Sequence, residues 1–130
     1  MIVDASALVA LTFMEDDEAT YAQALRDAAT LHIAPINWWE AFARAERSKD
    51  PSRRGAFVQV EEALRLTLVP TDATQLTVAK HAWRLYGKGS GHRAQLNMGD
   101  CFAYALAKTL DEPLLFKGDD FTHTDVRSAL

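Results

Sequence analysis

Four short apolar segments, each stopped by an acid, a proline or a turn, alternate along this chain with stretches of helical period, and this alternation restricts the fold more than any other feature. Ile2-Val3 runs into Asp4, Leu31 to Ala34 into Pro35, Thr67 to Val69 into Pro70, and Pro113 to Phe116 into Lys117-Gly118-Asp119-Asp120. Buried strands alternating with helices imply a parallel sheet with helices on both faces, an α/β class. Ligands of such sheets bind at the carboxyl ends of the strands. Asp4 and the pair Asp119-Asp120 are therefore expected on one edge.

The helical stretches follow from periodicity and capping signals. The first, Ala7 to Met14, is apolar on nearly every side, so part of it is expected to stay exposed unless another chain covers it. The acidic run Glu15 to Glu18 opens a second, with Tyr21, Ala22, Leu25, Ala28 and Ala29 inward. Asn37 is read as the cap of a third, which carries Trp38, Trp39, Phe42, Ala43 and Ala45. One of the adjacent tryptophans should pack inward and the other stay free. A fourth holds Phe57, Val60 and Leu64. Asp72 with Gln75 caps a fifth, with Leu76, Ala79, Trp83 and Tyr86 inward, and Asn97 starts a sixth with Phe102, Ala105, Leu106 and Leu110 on one side. Gly87 to Gly91 is loose and glycine-rich; its spacing fits no phosphate-loop fingerprint. With no repeat or linker, residues 1–130 are expected to form one domain, long enough to bury a core without disulfides. The lone Cys101 suits a reducing cytoplasm. The apolar first helix is too short to cross a bilayer, and no Lys or Arg precedes Arg26 to begin a signal peptide.

Each acid at an element junction has an ordinary explanation. Asp4 can cap the helix after it, Asp119-Asp120 can serve the turn, and Glu40 and Asp100 each follow an Asn by three residues, as in a capping box. Glu40 can also pair with Arg44 one helical turn on. Together they say more. Several carboxylates converging on one sheet edge cannot all ionise without a cation, which points to a hard, oxygen-loving ion such as Mg2+ or Mn2+.

Four strings then carry a family resemblance: Met1-Ile2-Val3-Asp4-Ala5-Ser6-Ala7-Leu8, Asn37-Trp38-Trp39-Glu40-Ala41, Leu96-Asn97-Met98-Gly99-Asp100-Cys101-Phe102-Ala103-Tyr104-Ala105, and Pro113-Leu114-Leu115-Phe116-Lys117-Gly118-Asp119-Asp120-Phe121. In order and over nearly the whole chain they resemble the PIN-domain toxins of VapC type. The resemblance implies a three-layer α/β/α domain around a central parallel sheet, with Mg2+-dependent ribonuclease activity and a VapB-type antitoxin as partner. The family's acids fall on Asp4, Glu40, Asp100 and either Asp119 or Asp120, and its small hydroxyl residue on Ser6. Asp4 and Asp100 are assigned as the principal metal holders. Glu40 and one of Asp119 or Asp120 would orient the attacking water or complete a second ion site. The resemblance also suggests a homodimer.

A net charge of −4 argues against coating nucleic acid by bulk charge, so RNA must be held by local basic stretches. Between Asp72 and Asp100 there is no acid, while Lys80, Arg84, Lys88 and Arg93 are basic; the first three recur every four residues and are expected on the helix face opposite Leu76, Ala79 and Trp83. Arg44 and Arg47 begin a second basic stretch. His123 and Asp125 are read as a surface pair. Two alternatives share an acidic pocket after a strand. A phosphoaspartyl phosphatase would want an acid where Ser6 stands, and a metal-binding receiver or interaction module would have no nuclease activity.

Overall fold

The computed structural model describes residues 1–130, in the order β1 (Ile2–Val3), α1 (Ala5–Phe13), α2 (Glu18–Asp27), β2 (His32–Ile33), α3 (Pro35–Glu46), α4 (Ser52–Leu64), β3 (Thr67–Leu68), α5 (Ala73–Tyr86), α6 (Met98–Leu110) and β4 (Leu114–Leu115), closed by a 3-10 turn over Asp120–His123. All neighbouring strands are parallel, in the order β3-β2-β1-β4. The chain thus builds outward from β1 through β2 to β3 and then returns to lay β4 on the other side of β1. Open α/β sheets bind ligands where the strand order reverses, here beyond the carboxyl end of β1.

Successive strand residues face opposite sides of a sheet, and here the alternation sorts the core into two layers. Ile2 and Leu114 join the cluster built by α5 and α6, while Val3, Ile33 and Leu115 join the cluster of α1 to α4. The result is the α/β/α arrangement.

Several local expectations give way. α1 begins at Ala5, because Asp4 is itself the cap, in extended conformation with its carboxylate accepting the Ser6 N–H. This helix needs no second chain: α2, α3 and α4 pack around it, Leu8 and Val9 are buried, Leu11 and Phe13 are half-buried against the same cluster, and only Met14 is left outside. Asn37 is not a cap. Pro35 takes the first helical position, where its fixed φ fits and its missing N–H costs no bond, so Ala34 is the cap residue and Asn37 lies inside α3. Glu40 therefore belongs to no capping box.

On α5 the inward residues are Gln75, Ala79 and Ala82, and Leu76 and Trp83 remain 47% and 46% exposed. Small residues on α5 meet the alanine-rich α6, so the helices approach closely and the larger side chains are turned out. Lys80 and Arg84 flank Leu76 and Trp83 rather than opposing them. Lys88 lies beyond the last turn of α5, in a loop tied by a parallel bridge between Gly87 and Leu96, so the three cations share no helix face. At the carboxyl end, Asp125 accepts from Tyr104 Oη at 2.6 Å and Lys108 Nζ at 3.0 Å rather than pairing with His123. As expected of the tryptophans, Trp38 stacks on Phe42 and meets Phe57 edge-on, while Trp39 is 60% exposed.

Candidate active site

The side chains that leave the carboxyl edge of the sheet at β1 and β4, together with those from α3 and the first turn of α6, close around a small cleft of about 170 Å³. Asp4, Glu40, Asp100 and Asp120 line it, accompanied by Ser6, Arg44, Asn97 and Lys117. Of the two acids after β4, Asp120 lines the cleft and Asp119 does not. The remaining cations expected to serve a ligand (Arg47, Lys80, Arg84, Lys88 and Arg93) lie elsewhere on the surface.

Asp4 is the most rigidly held of the acids. It is buried, Oδ2 accepts from Ser6 N at 2.9 Å and Ser6 Oγ at 2.5 Å, and Oδ1 accepts from Asn37 Nδ2 at 3.0 Å. The Ser6 hydroxyl in turn accepts the backbone N–H of Lys117 at 2.9 Å, tying the end of β1 to the end of β4. Asn37 Nδ2 also donates to Gly99 O at 3.1 Å, so one amide links α3, Asp4 and the start of α6. The price is an orphan: Asn37 Oδ1 is buried and has no donor. Turning the amide over would set that oxygen against two acceptors, so the observed orientation is the favourable one.

Asp100 sits in a reciprocal capping box. Its Oδ2 accepts the Asn97 N–H at 2.7 Å, and Asn97 Oδ1 accepts the Asp100 N–H at 2.9 Å. The capping reading and a functional one are thus compatible, because Oδ1 of Asp100 is left over. Gly99 makes room beside it: a Cβ there would displace the carboxylate of Glu40, which lies over the first turn of α6, and would press on Asn97 Oδ1 at 3.3 Å.

The electrostatics of the cleft are unfavourable to its own charge. Burial pushes the Asp100 carboxyl up to about 7, against the lowering Asn97 N–H bond and with further upward pressure from Asp4, Asp120 and Glu40. Burial likewise raises Asp4 despite its three donors. Glu40 is raised by desolvation and by the Asp4 charge, and Arg44 pulls it partly back. Lys117 neutralises little of this, since its amine is held by Glu15 at 2.5 Å and Asp17 at 2.6 Å at the cleft rim.

The donor set fits a hard divalent cation. Every free ligand is a carboxylate or amide oxygen, and the lining holds no His and no thiol. The acids do not form a closed cage, as no three are near enough to grip one ion directly. That openness suits Mg2+, which keeps several waters and takes only one or two carboxylates.

Sequence reasoning missed Asn37 as a clamp and Lys117 as a rim residue. Lys117 could have been found by the argument that found Asp4, since Asp4 follows β1 directly and Lys117 stands two residues beyond β4 on the same carboxyl edge. For Asn37 the signal was Pro35, which marks the helix start two residues earlier and frees the amide for other work.

The PIN-domain family profile matches residues 1–127 of the chain. Ribonuclease VapC42 of Mycobacterium tuberculosis is 41% identical over 129 residues, covering 99% of this chain and 98% of that protein. Ribonuclease VapC28 of the same species is 41% identical over 130 residues, covering 100% of this chain and 98% of that one. Among solved structures, the crystal structure of Mycobacterium tuberculosis VapC20, a sarcin-ricin loop cleaving toxin, superposes with a TM-score of 0.73 at 12% identity over 96% of this chain and 95% of that one. At that identity the likeness speaks for the fold alone.

Proposed function

The chain belongs to the PIN-domain family and within it to the VapC ribonucleases, toxins of toxin-antitoxin systems, and on that footing we propose that Asp4, Glu40, Asp100 and Asp120 form a Mg2+-dependent centre for hydrolysing RNA phosphodiester bonds. The observation that carries this reading is the convergence of four acids at the strand-order reversal, three of them with carboxyl groups raised above their ordinary range. Such a site penalises its own ionised carboxylates, first through burial and, at Glu40 and Asp100, also through mutual repulsion, and a divalent cation relieves that penalty.

Asp4 and Asp100 would hold the ion, Asp4 because Ser6 and Asn37 fix its direction and Asp100 because its second oxygen is free. Mg2+ supplies Lewis-acid polarisation of the phosphate and lowers the pKa of water. Glu40 is solvent-accessible and stands above the ordinary glutamate range, so it is placed to orient the attacking water and take its proton. Arg44, at the same lining, offers charge to a phosphate oxygen. Asn97 caps α6, whose N-terminal end favours the substrate anion at the cleft.

The partners follow the family: an RNA substrate, a VapB-type antitoxin that neutralises the activity, and a second copy of the toxin, acting in the cytoplasm. No helix is long and apolar enough to cross a membrane. The exposed Trp39 and Met14 are available to a protein partner, and an antitoxin Arg or Lys entering the acidic cleft would compete with the cation.

The test is RNA cleavage by the purified chain. Mg2+ or Mn2+ should switch it on and EDTA off, and Asp4→Asn should cost at least about a hundredfold, the scale of losing a preorganised charge. Cleavage that persists in EDTA and in the variant would overturn the assignment. Light scattering should give about twice the 14.4 kDa chain mass, and co-expression with the adjacent small protein should abolish the activity.

A further inference from the structure

The first turn of α6 has two sides. Asn97 and Asp100 line the acidic cleft, whereas Met98 and Cys101 line a separate groove between α5 and α6. That groove has a volume of about 340 Å³ and is walled by Leu76, Trp83, Met98 and Phe102, with Lys80 and Arg84 on its rim. Such a volume lies within the roughly 300–1,000 Å³ of sites that take small organic groups. Three of the walls are open to solvent: Leu76 is 47% exposed, Trp83 46% and Met98 62%.

Trp83 is not loosely placed. Its indole lies over Gly87, so closely that a Cβ at that position would stand 2.7 Å from Cε3 and 2.8 Å from Cδ2 of the ring. The indole thus packs against the Gly87 backbone while about half of the residue stays open to solvent.

The charge around the groove selects its occupant. Neither Lys80 nor Arg84 takes part in any ion pair of the chain, and no Asp or Glu occurs between Asp72 and Asp100. A second copy seated on the same face would bring another Lys80 and Arg84 to the seam and no acid of the groove to pair with them. An aromatic platform flanked by unpaired cations is the chemistry that binds single-stranded nucleic acid, with bases stacked on the rings and phosphates on the charges.

Resting on the proposed nuclease function, we infer that the α5–α6 groove is a nucleobase subsite. It takes a base of the single-stranded RNA a few nucleotides from the bond being cut, stacked on Trp83, with the flanking phosphates on Lys80 and Arg84. The two sites share the first turn of α6, and a helix is only about 10 Å across, so one strand can pass from the cleft over that turn into the groove. The acidic cleft performs the chemistry, and the groove sets which part of the RNA is presented to it.

The probe is a short unstructured oligoribonucleotide, bound to the full chain in EDTA and cleaved by it in Mg2+. Trp83→Ala should weaken binding roughly 5- to 150-fold, the range of one lost base stack, and the loss in cleavage should fall on KM rather than kcat. Trp83→Phe, which keeps a stacking face, should restore most of the affinity. An oligonucleotide made abasic at the stacked position should bind the parent protein as weakly as the intact one binds Trp83→Ala. Lys80→Ala with Arg84→Ala should flatten the salt dependence of binding, and this pair, on exposed side chains, serves even if Trp83→Ala folds poorly. Unchanged binding and KM in both sets of variants would overturn the subsite. So would a change of oligomeric state in light scattering with RNA affinity intact, which would make the groove a protein-docking face. If the parent chain itself neither binds nor cuts RNA, it is the nuclease reading that fails.

Discussion

Replacing Asp100 by Asn should make the ion-free protein more stable at pH 8 while destroying its activity. The Asp100 carboxyl is pushed up from 3.8 to about 7 in the fold, and each pH unit between those values corresponds to about 1.4 kcal/mol. Keeping the group ionised above pH 7 therefore costs the folded state up to about 4 kcal/mol. Asparagine is neutral and retains an oxygen to accept the Asn97 N–H, so the capping box survives. Part of the relief is returned because a neutral acceptor bonds that N–H less strongly than a carboxylate, which leaves a net gain of roughly 1–3 kcal/mol. For a chain of this length that is a rise in Tm of about 3–15 °C. The sign with pH is determined as well. A carboxyl whose folded pKa is raised destabilises the fold increasingly as pH rises from about 4 to 7, and not at all below the unfolded value. Thermal melts in EDTA should show the variant's advantage full at pH 8 and reduced by pH 5. Saturating Mg2+ should raise the parent more than the variant, by about 2.7 kcal/mol at a hundred times its Kd. A variant that melts below the parent at pH 8 in EDTA, or an advantage independent of pH, would refute the reasoning that the cleft carries unrelieved charge.

Gly99→Ala should cut cleavage sharply with stability changed by no more than about 1 kcal/mol, since the new Cβ displaces the exposed carboxylate end of Glu40 and presses on the capping Asn97 Oδ1 at 3.3 Å, while alanine favours the helix; paired melts and kinetics check this. Asn37→Ala should lower stability by about 1–3 kcal/mol and also lower activity, because it removes the bonds to Asp4 and Gly99 and leaves buried acceptors unpaired; an active, equally stable variant would show that the clamp is idle. Arg44→Ala should move the acidic limb of the pH–rate profile to higher pH, since Arg44 is the group that pulls Glu40 downward, and should raise KM if it also meets phosphate.

Much of this was legible because it depends on local chemistry. Ile2-Val3-Asp4 and the segment before Lys117 announce strands through apolarity and a hard stop, and Asn97 with Asp100 announces a cap through spacing; none of these needs the rest of the fold. What escaped depends on which helix packs where. Leu76 and Trp83 carry the apolar period of α5, yet the small residues Ala79 and Ala82 win the inward face because they let α6 approach closely. The exposure expected of α1 failed for a similar reason, since three other helices of the same chain cover it. Asp119 and Asp120 are adjacent in a turn, and only the path of that turn after β4 separates the one that lines the cleft from the one that does not.

The central claim, that the four-acid cleft holds a divalent cation, is tested most directly by calorimetric titration of Mn2+ into the purified chain at pH 6.5, repeated in buffers of different ionisation enthalpy. Binding should displace protons, because Asp100, near 7 in the ion-free fold, must ionise to accept the metal. The apparent enthalpy should therefore change with buffer, and both the binding and this proton release should disappear in Asp4→Asn with Asp100→Asn. Mn2+ binding that is independent of buffer and survives in that double variant, or no binding by the parent chain, would contradict it.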